Sequence, residues 1–172
     1  NDFEENILAP TLAGLERAGI HFKGFIFFGL MVTNDGTYLP EYNMRLGDPE
    51  TQVILPLMEN NLLDVILDCL EGKEIDLKFK DEKAVCLVMC SGGYPRQIET
   101  GFEIKNLDKV KDSQILFAGA SNSGDAIVTS GGRVLSIVAT GDTFENARKK
   151  VYDDALKIQF DYAFYREDIG KF

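Results

Sequence analysis

The apolar positions change period along the chain, from helical to strand-like and back. In residues 1–19, Ile7, Leu8, Leu12 and Leu15 recur at helical spacing. Pro10 suits a first turn and Gly19 a stop, so the pattern predicts a helix whose regular part starts near Pro10. Residues 24–33 (GFIFFGLMVT) read as a strand, Asn34-Asp35-Gly36 as a hairpin turn and residues 37–44 as the return strand. Alternation along that strand puts Glu41 and Asn43 on one face and turns Tyr42 and Met44 towards a core.

Beyond the hairpin, residues 45–50 form a loop, with Asp48 as a helix cap and Pro49 at the first helical position. Residues 51–71 read as one long helix with a buried stripe of Ile54, Leu57, Met58, Leu62, Val65, Ile66, Cys69 and Leu70. Asn60-Asn61 breaks it without marking a domain linker. Residues 72–80 are polar, a connection or an edge strand, and 83–90 (KAVCLVMC) form an apolar, central strand that ends in the turn Ser91-Gly92-Gly93-Tyr94-Pro95. Short strands follow at 102–104, 114–118, 125–129 and 134–139. Thr143 caps a last helix whose buried face carries Phe144, Ala147, Val151, Ala155 and Ile158. Residues 162–170 form a closing tail in which Arg166, Glu167 and Asp168 offer structural ion pairs. The sum is an α+β chain with mostly antiparallel strands.

Composition narrows the function classes. The chain has 172 residues, 45% of them hydrophobic and 27% charged, with a net charge of −10. That charge argues against nonspecific binding to nucleic acid or to an anionic membrane. No apolar run is long enough to span a bilayer. Cys69, Cys86 and Cys90 sit in apolar runs without a second Cys or His group, as expected of buried free thiols in a reducing compartment and not of a zinc site. His21 is the one histidine and has no nucleophile elbow near it.

The densest chemistry lies in residues 41–52, EYNMRLGDPETQ. Glu41 and Asn43 offer hard oxygen ligands suited to a Mg²⁺ that also binds phosphates. Arg45 adds a fork-shaped cation suited to carboxylate or phosphate. The same residues also fit an exposed hairpin strand with solvated charges, and GDPE also fits a helix start with acids at its positive end. Gly131, Gly132 and Arg133 allow an anion to approach backbone and guanidinium together, or form a hairpin turn with an arginine at its shoulder.

EYNMRLGDPETQ, then SGGYP at 91–95, TSGGRVL at 129–135 and YREDIG at 165–170, occur in an order that resembles the carboxy-terminal portion of the phosphoribosylamine–glycine ligase (glycinamide ribonucleotide synthetase) family, within the ATP-grasp superfamily. The resemblance implies the second half of an ATP-grasp domain over residues 1–72, with the metal-binding strand, and a small, mostly antiparallel α+β domain over 73–172. It implies an ATP-dependent, cytoplasmic carbon–nitrogen ligase of purine biosynthesis. Such an enzyme joins glycine to 5-phosphoribosylamine through a glycyl phosphate and releases ADP, phosphate and glycinamide ribonucleotide. On that resemblance Glu41 and Asn43 hold Mg²⁺ or Mn²⁺, and Arg45 neutralises charge at the acyl phosphate. Asp48 and Glu50 position the amine substrate or order the loop, and Gly131, Gly132 and Arg133 take the ribose-phosphate end.

Two departures limit the transfer. The strand before Glu41 is wholly apolar, where many ATP-grasp enzymes carry another carboxylate ligand, and Phe117-Ala118-Gly119-Ala120 stands where the family commonly has His-Ala-Gly-Thr. The amino-terminal domain and nucleotide-holding lid of the family have no counterpart here, so residues 1–172 alone are expected to bind ATP poorly and not to turn over. Another ATP-grasp carboxylate–amine ligase, or a non-catalytic domain with the same fold, are the alternatives.

Overall fold

A computed structural model of the chain describes residues 2–171. Asn1, the first position of the predicted opening helix, lies outside them. Two compact units divide the chain, and each is discontinuous. The first comprises Asn1–Gly47 and Asn60–Leu77, the second Asp48–Glu59 and Lys78–Phe172.

In the first unit a π-helical turn, Glu4–Leu8, leads into helix α1, Ala9–Arg17, with Pro10 in its first turn. Gly19, at φ +66°, follows the helix. Strands β1, Phe27–Thr33, and β2, Gly36–Asn43, pair antiparallel. The two-residue turn between them takes its positive φ at Gly36, not at Asn34 or Asp35. Thr33 Oγ1 steadies it, accepting from Asp35 N (3.2 Å) and donating to Gly36 O (3.1 Å). The register slips between Gly29 and Met31, opposite the stretch that holds Pro40, where a residue without an N–H is tolerated.

Tyr42 and Met44 are not core residues, for both are about half exposed. Tyr42 packs edge-on against Phe28 (centroids 5.5 Å apart) and its hydroxyl meets Thr11 Oγ1 of α1 at 2.8 Å. This unit is too small to enclose both faces of its hairpin, and Ile7 and Val65 are the buried apolar residues it contributes among those described.

The helical run expected over 51–71, with its break at Asn60-Asn61, is two helices: α2, Thr51–Leu57, and α3, Leu62–Glu71. Asn61 caps α3 by accepting from Leu63 N (2.9 Å). The chain passes from the second unit to the first at 59/60, so this break does separate compact units. The predicted stripe is therefore divided between the two units, and its Ile54 and Leu70 remain exposed. The helix α2 starts at Thr51 with Glu50 as its cap residue and no side-chain cap bond, so Asp48 does not cap it. The Asp48 carboxylate is engaged elsewhere.

The second unit holds the main core. Strands β3, Lys83–Cys90, β4, Gln114–Phe117, and β7, Arg133–Gly141, form an antiparallel sheet in the order β3-β7-β4. The central strand is β7, and β3 lies at an edge. Two short strands, β5, Ala120–Ser123, and β6, Ala126–Thr129, make a separate hairpin, and 102–104 contribute one bridge, Glu103 to Val128. Val85, Leu87 and Met89 point to one face of the sheet, against Ala147, Val151 and Ala155 of helix α4, Phe144–Ala155. Thr143 caps α4 as expected, accepting from Asn146 N at 3.1 Å. The alternate residues Cys86, Val88 and Cys90 turn to the opposite face. The α2 helix also packs on β3 and β7, so Val134 to Ala139 of β7 are buried along their whole length.

One carboxylate is built into this core. Asp154 of α4 is fully buried and accepts from Lys111 N (3.3 Å), Asp112 N (3.0 Å) and Lys157 Nζ (2.5 Å). Burial alone would raise its pKa, but its hydrogen bonds, the one from Lys157 foremost, outweigh burial and hold it below the ordinary carboxylate value. Its stabilisation is therefore present above the unfolded-state pKa, about 3.9, and is lost as pH falls through the lower folded-state value. Asp154→Asn should cost about 1–3 kcal/mol at neutral pH. Urea denaturation at pH 7 and at pH 3 checks this: the gap between wild type and variant should narrow in acid.

Candidate functional site

The end of β2 carries the first cluster. Asn43 Nδ2 donates to Glu41 Oε1 (3.0 Å), confirming that the two side chains share a face. Arg45 donates through one terminal nitrogen to Asn43 Oδ1 (3.1 Å) and through the other to Leu46 O (3.0 Å). Across the hairpin Glu41 pairs with Gly29, where an added Cβ would sit 3.1 Å from Glu41 Cγ. The glycine in the apolar strand thus makes room for the carboxylate. Glu41, Asn43 and Arg45 form one contiguous polar row that is open to solvent.

A second cluster is built in the other unit from three turns. Ser91, buried at the end of β3, donates its N–H to Gly132 O (2.8 Å) and its hydroxyl to Gly131 O (2.8 Å). Gly119 N donates to Arg133 O (2.8 Å), and Gly131 N donates to Gly119 O (3.1 Å). A Cβ on Gly119 would meet Gly131 Cα at 2.7 Å, and one on Gly132 would run into the Tyr94 ring. These glycines are there because backbone must approach backbone.

The turns aim Arg133 at Asp48. One guanidinium nitrogen donates to Asp48 Oδ2 (2.9 Å) and the other to the Asp48 carbonyl (3.1 Å). Gln52, in the first turn of α2, donates Nε2 to Asp48 Oδ1 (2.7 Å). Both carboxylate oxygens are therefore taken. Glu50 instead offers its backbone carbonyl to Val53 N and Ile54 N in the first turn of α2. A cavity of about 360 Å³ in the same unit is lined by Pro49, Cys86, Cys90, Tyr94 and Phe164, among others. Burial pushes the Cys86 thiol up, against a hydrogen bond with Ser136, and pushes Cys90 up against the pull of Arg133. A raised thiol pKa disfavours the nucleophilic thiolate at both positions.

The predicted residues thus fall into two groups, Glu41, Asn43 and Arg45 in one unit and Asp48, Gly131, Gly132 and Arg133 in the other. Ser91, Tyr94 and Gln52 had not been singled out as site residues. The i, i+4 spacing of Asp48 and Gln52 was the available signal for Gln52. Phe117, at the position of the family's usual His, is half exposed, while Ala118 and Gly119 bond β7 at Val134 O and Arg133 O.

Residues 84–172 match the family described as Phosphoribosylglycinamide synthetase, C domain, and residues 1–51 match its ATP-grasp (A) domain. The chain belongs to the phosphoribosylglycinamide synthetase family. Among its relatives, the phosphoribosylamine–glycine ligase of Caldanaerobacter subterraneus subsp. tengcongensis is 46% identical over 172 residues, which are 99% of this chain and 41% of that protein. A bifunctional purine biosynthetic protein of Schizosaccharomyces pombe is 41% identical over 97% of this chain and 22% of its own length. The crystal structure of the Thermotoga maritima phosphoribosylamine–glycine ligase superposes with a TM-score of 0.81 at 38% identity, over 92% of this chain and 40% of that one. The biotin carboxylase domain of a thermophilic 2-oxoglutarate carboxylase, 12% identical with a TM-score of 0.63, shares the fold. The chain spans about 41% of the length of the curated family members it matches.

The turns make a graded prediction. Gly93 sits at φ +83° and a Cβ there would overlap the backbone carbonyl of Gln97, which cannot move aside. Gly93→Ala should cost about 2 kcal/mol or more in thermal or urea unfolding. For Gly132→Ala the nearest obstacle is the Tyr94 side chain, so its penalty should shrink when Tyr94→Ala is added, and additivity of the two would count against this packing.

Proposed function

We propose that the protein containing this chain joins glycine to 5-phosphoribosylamine at the expense of ATP, giving glycinamide ribonucleotide, ADP and phosphate by way of a glycyl phosphate. The observation that carries this reading is the contiguous Glu41–Asn43–Arg45 row in a member of this family. The physical problem of the reaction is negative charge, since a carboxylate must approach a triphosphate.

A carboxylate and an amide carbonyl side by side are a hard-oxygen set, and Mg²⁺ commonly takes one or two such ligands together with substrate phosphates and water. The donors present therefore fit a divalent ion, Mg²⁺ or Mn²⁺, which Glu41 and Asn43 would hold. When bound, such an ion supplies charge neutralisation at the transferring phosphoryl group. Arg45, already within hydrogen-bonding distance of Asn43, adds a second positive charge beside it and stabilises the acyl phosphate as it forms. Arg133 keeps N–H groups beyond the two that Asp48 takes and, beside the Gly131-Gly132 turn that pins it, holds the phosphate of the amine substrate. Asp48 and Glu50 order the loop that joins the two groups.

The full-length protein should release ADP only when glycine and 5-phosphoribosylamine are both supplied. Glu41→Gln should lower kcat about a hundredfold or more, with thermal stability unchanged because the side chain is exposed. ADP release that depends on a different carboxylate would select another ATP-grasp ligase. Activity indifferent to Glu41→Gln and Asn43→Ala would point to a domain that keeps the fold without the chemistry.

A further inference from the structure

The Arg133–Asp48 pair is a poor stabiliser. Arg133 is 41% exposed and Asp48 50% exposed. Exposed pairs contribute about 0–1 kcal/mol to folding, and salt screens them further. Yet the arrangement is more elaborate than an ordinary surface pair, because a third side chain completes it. Gln52 donates to the Asp48 oxygen that Arg133 leaves free.

Gln52 does this at a cost. Its Oε1 is buried and has no hydrogen-bond partner among the described residues. An unmet buried acceptor costs about 1–3 kcal/mol, and an apolar side chain of similar length would avoid that. The carboxamide cannot turn over to satisfy Oε1, since Oε1 would then face Asp48 Oδ1, acceptor against acceptor. What an apolar residue could not do is fix the Asp48 carboxylate.

We propose that Gln52 and Asp48 are positioning residues that act through Arg133. Gln52 sets the rotation of the carboxylate, the carboxylate orients the guanidinium fork, and the remaining N–H groups of Arg133 are presented to the phosphate of the substrate. In this arrangement Asp48 serves the substrate through Arg133, each of its oxygens being held by one side chain. A guanidinium held by two contacts loses less freedom when it takes an anion than one that swings freely, which lowers the ordering cost of binding. This assignment rests on the ligase reading for its choice of substrate.

The test is Gln52→Leu in the full-length protein. The KM for 5-phosphoribosylamine should rise about tenfold, the value of a hydrogen bond to a charged group. The KM for ATP should stay within about twofold and the melting temperature should hold or rise, because the unmet acceptor is gone. In an Arg133→Lys background, where no fork remains to be oriented, Gln52→Leu should change that KM by less than about twofold. An unchanged KM in the wild-type background, equal effects in both backgrounds, or a loss of activity that tracks a fall in melting temperature would each overturn the proposal. If wild type shows no glycine-dependent ADP release, the ligase reading fails, and the positioning role is read by calorimetry with inorganic phosphate. Weaker binding to Gln52→Leu than to wild type supports it, while equal binding, or none to wild type, overturns it.

Discussion

Close approach of backbone to backbone at one end of the β3-β7-β4 sheet is the constraint on which the second unit's polar cluster depends. Ser91 bonds both Gly131 and Gly132, and Gly119 bonds Gly131 and Arg133. None of these contacts tolerates a Cβ in the wrong place. Buried, paired peptide groups are strong and directional, so the turn before β7 has little freedom. Arg133, the first residue of β7, inherits that rigidity, and its guanidinium reaches Asp48 because its backbone is pinned.

The two polar clusters differ in how they are supported. Glu41, Asn43 and Arg45 line one edge of a two-stranded hairpin whose unit buries little among the described residues. They bond chiefly to one another, and nothing heavier than a hairpin holds them. Arg133, which holds Asp48, opens the central strand of a sheet, and that strand is covered on both faces. On the proposed function, a geometry-sensitive task, the recognition of a phosphate by a forked cation, would fall to the better-supported pair. A charge-neutralising task, which tolerates adjustment, would fall to the hairpin.

Much of the fold was legible because its signals are local. The Asn-Asp-Gly turn, the Thr143 cap, the alternating apolar residues of β3 and the shared face of Glu41 and Asn43 follow from periods of 2 and 3.6 and from turn chemistry. What misled was the apolar run over 51–71. Its periodicity is nearly continuous, but Pro56 sits within α2, and Met58 to Asn61 leave helical geometry. Periodicity shows which side is apolar and not which core it faces. The central place of β7 was hidden for the same reason, because β3 is equally apolar and only the pairing partners tell centre from edge. In the site, residue types marked Glu41, Asn43, Arg45 and Arg133. They did not mark Gln52 or Ser91, whose importance comes from contacts with residues 4 and about 40 positions away.

The chain crosses between its compact units three times, after Gly47, Glu59 and Leu77. During synthesis, residues 1–47 leave the ribosome before 60–77 and cannot complete their unit until those have followed. By then α2 is already waiting for strands that have not yet been made. Neither unit can close before the ribosome has delivered part of the other. A linear cut that keeps only residues 84–172 would leave the sheet without the helix that covers the Cys86–Val88–Cys90 face. The two units are thus interleaved in sequence, and no single cut in the chain separates one from the other.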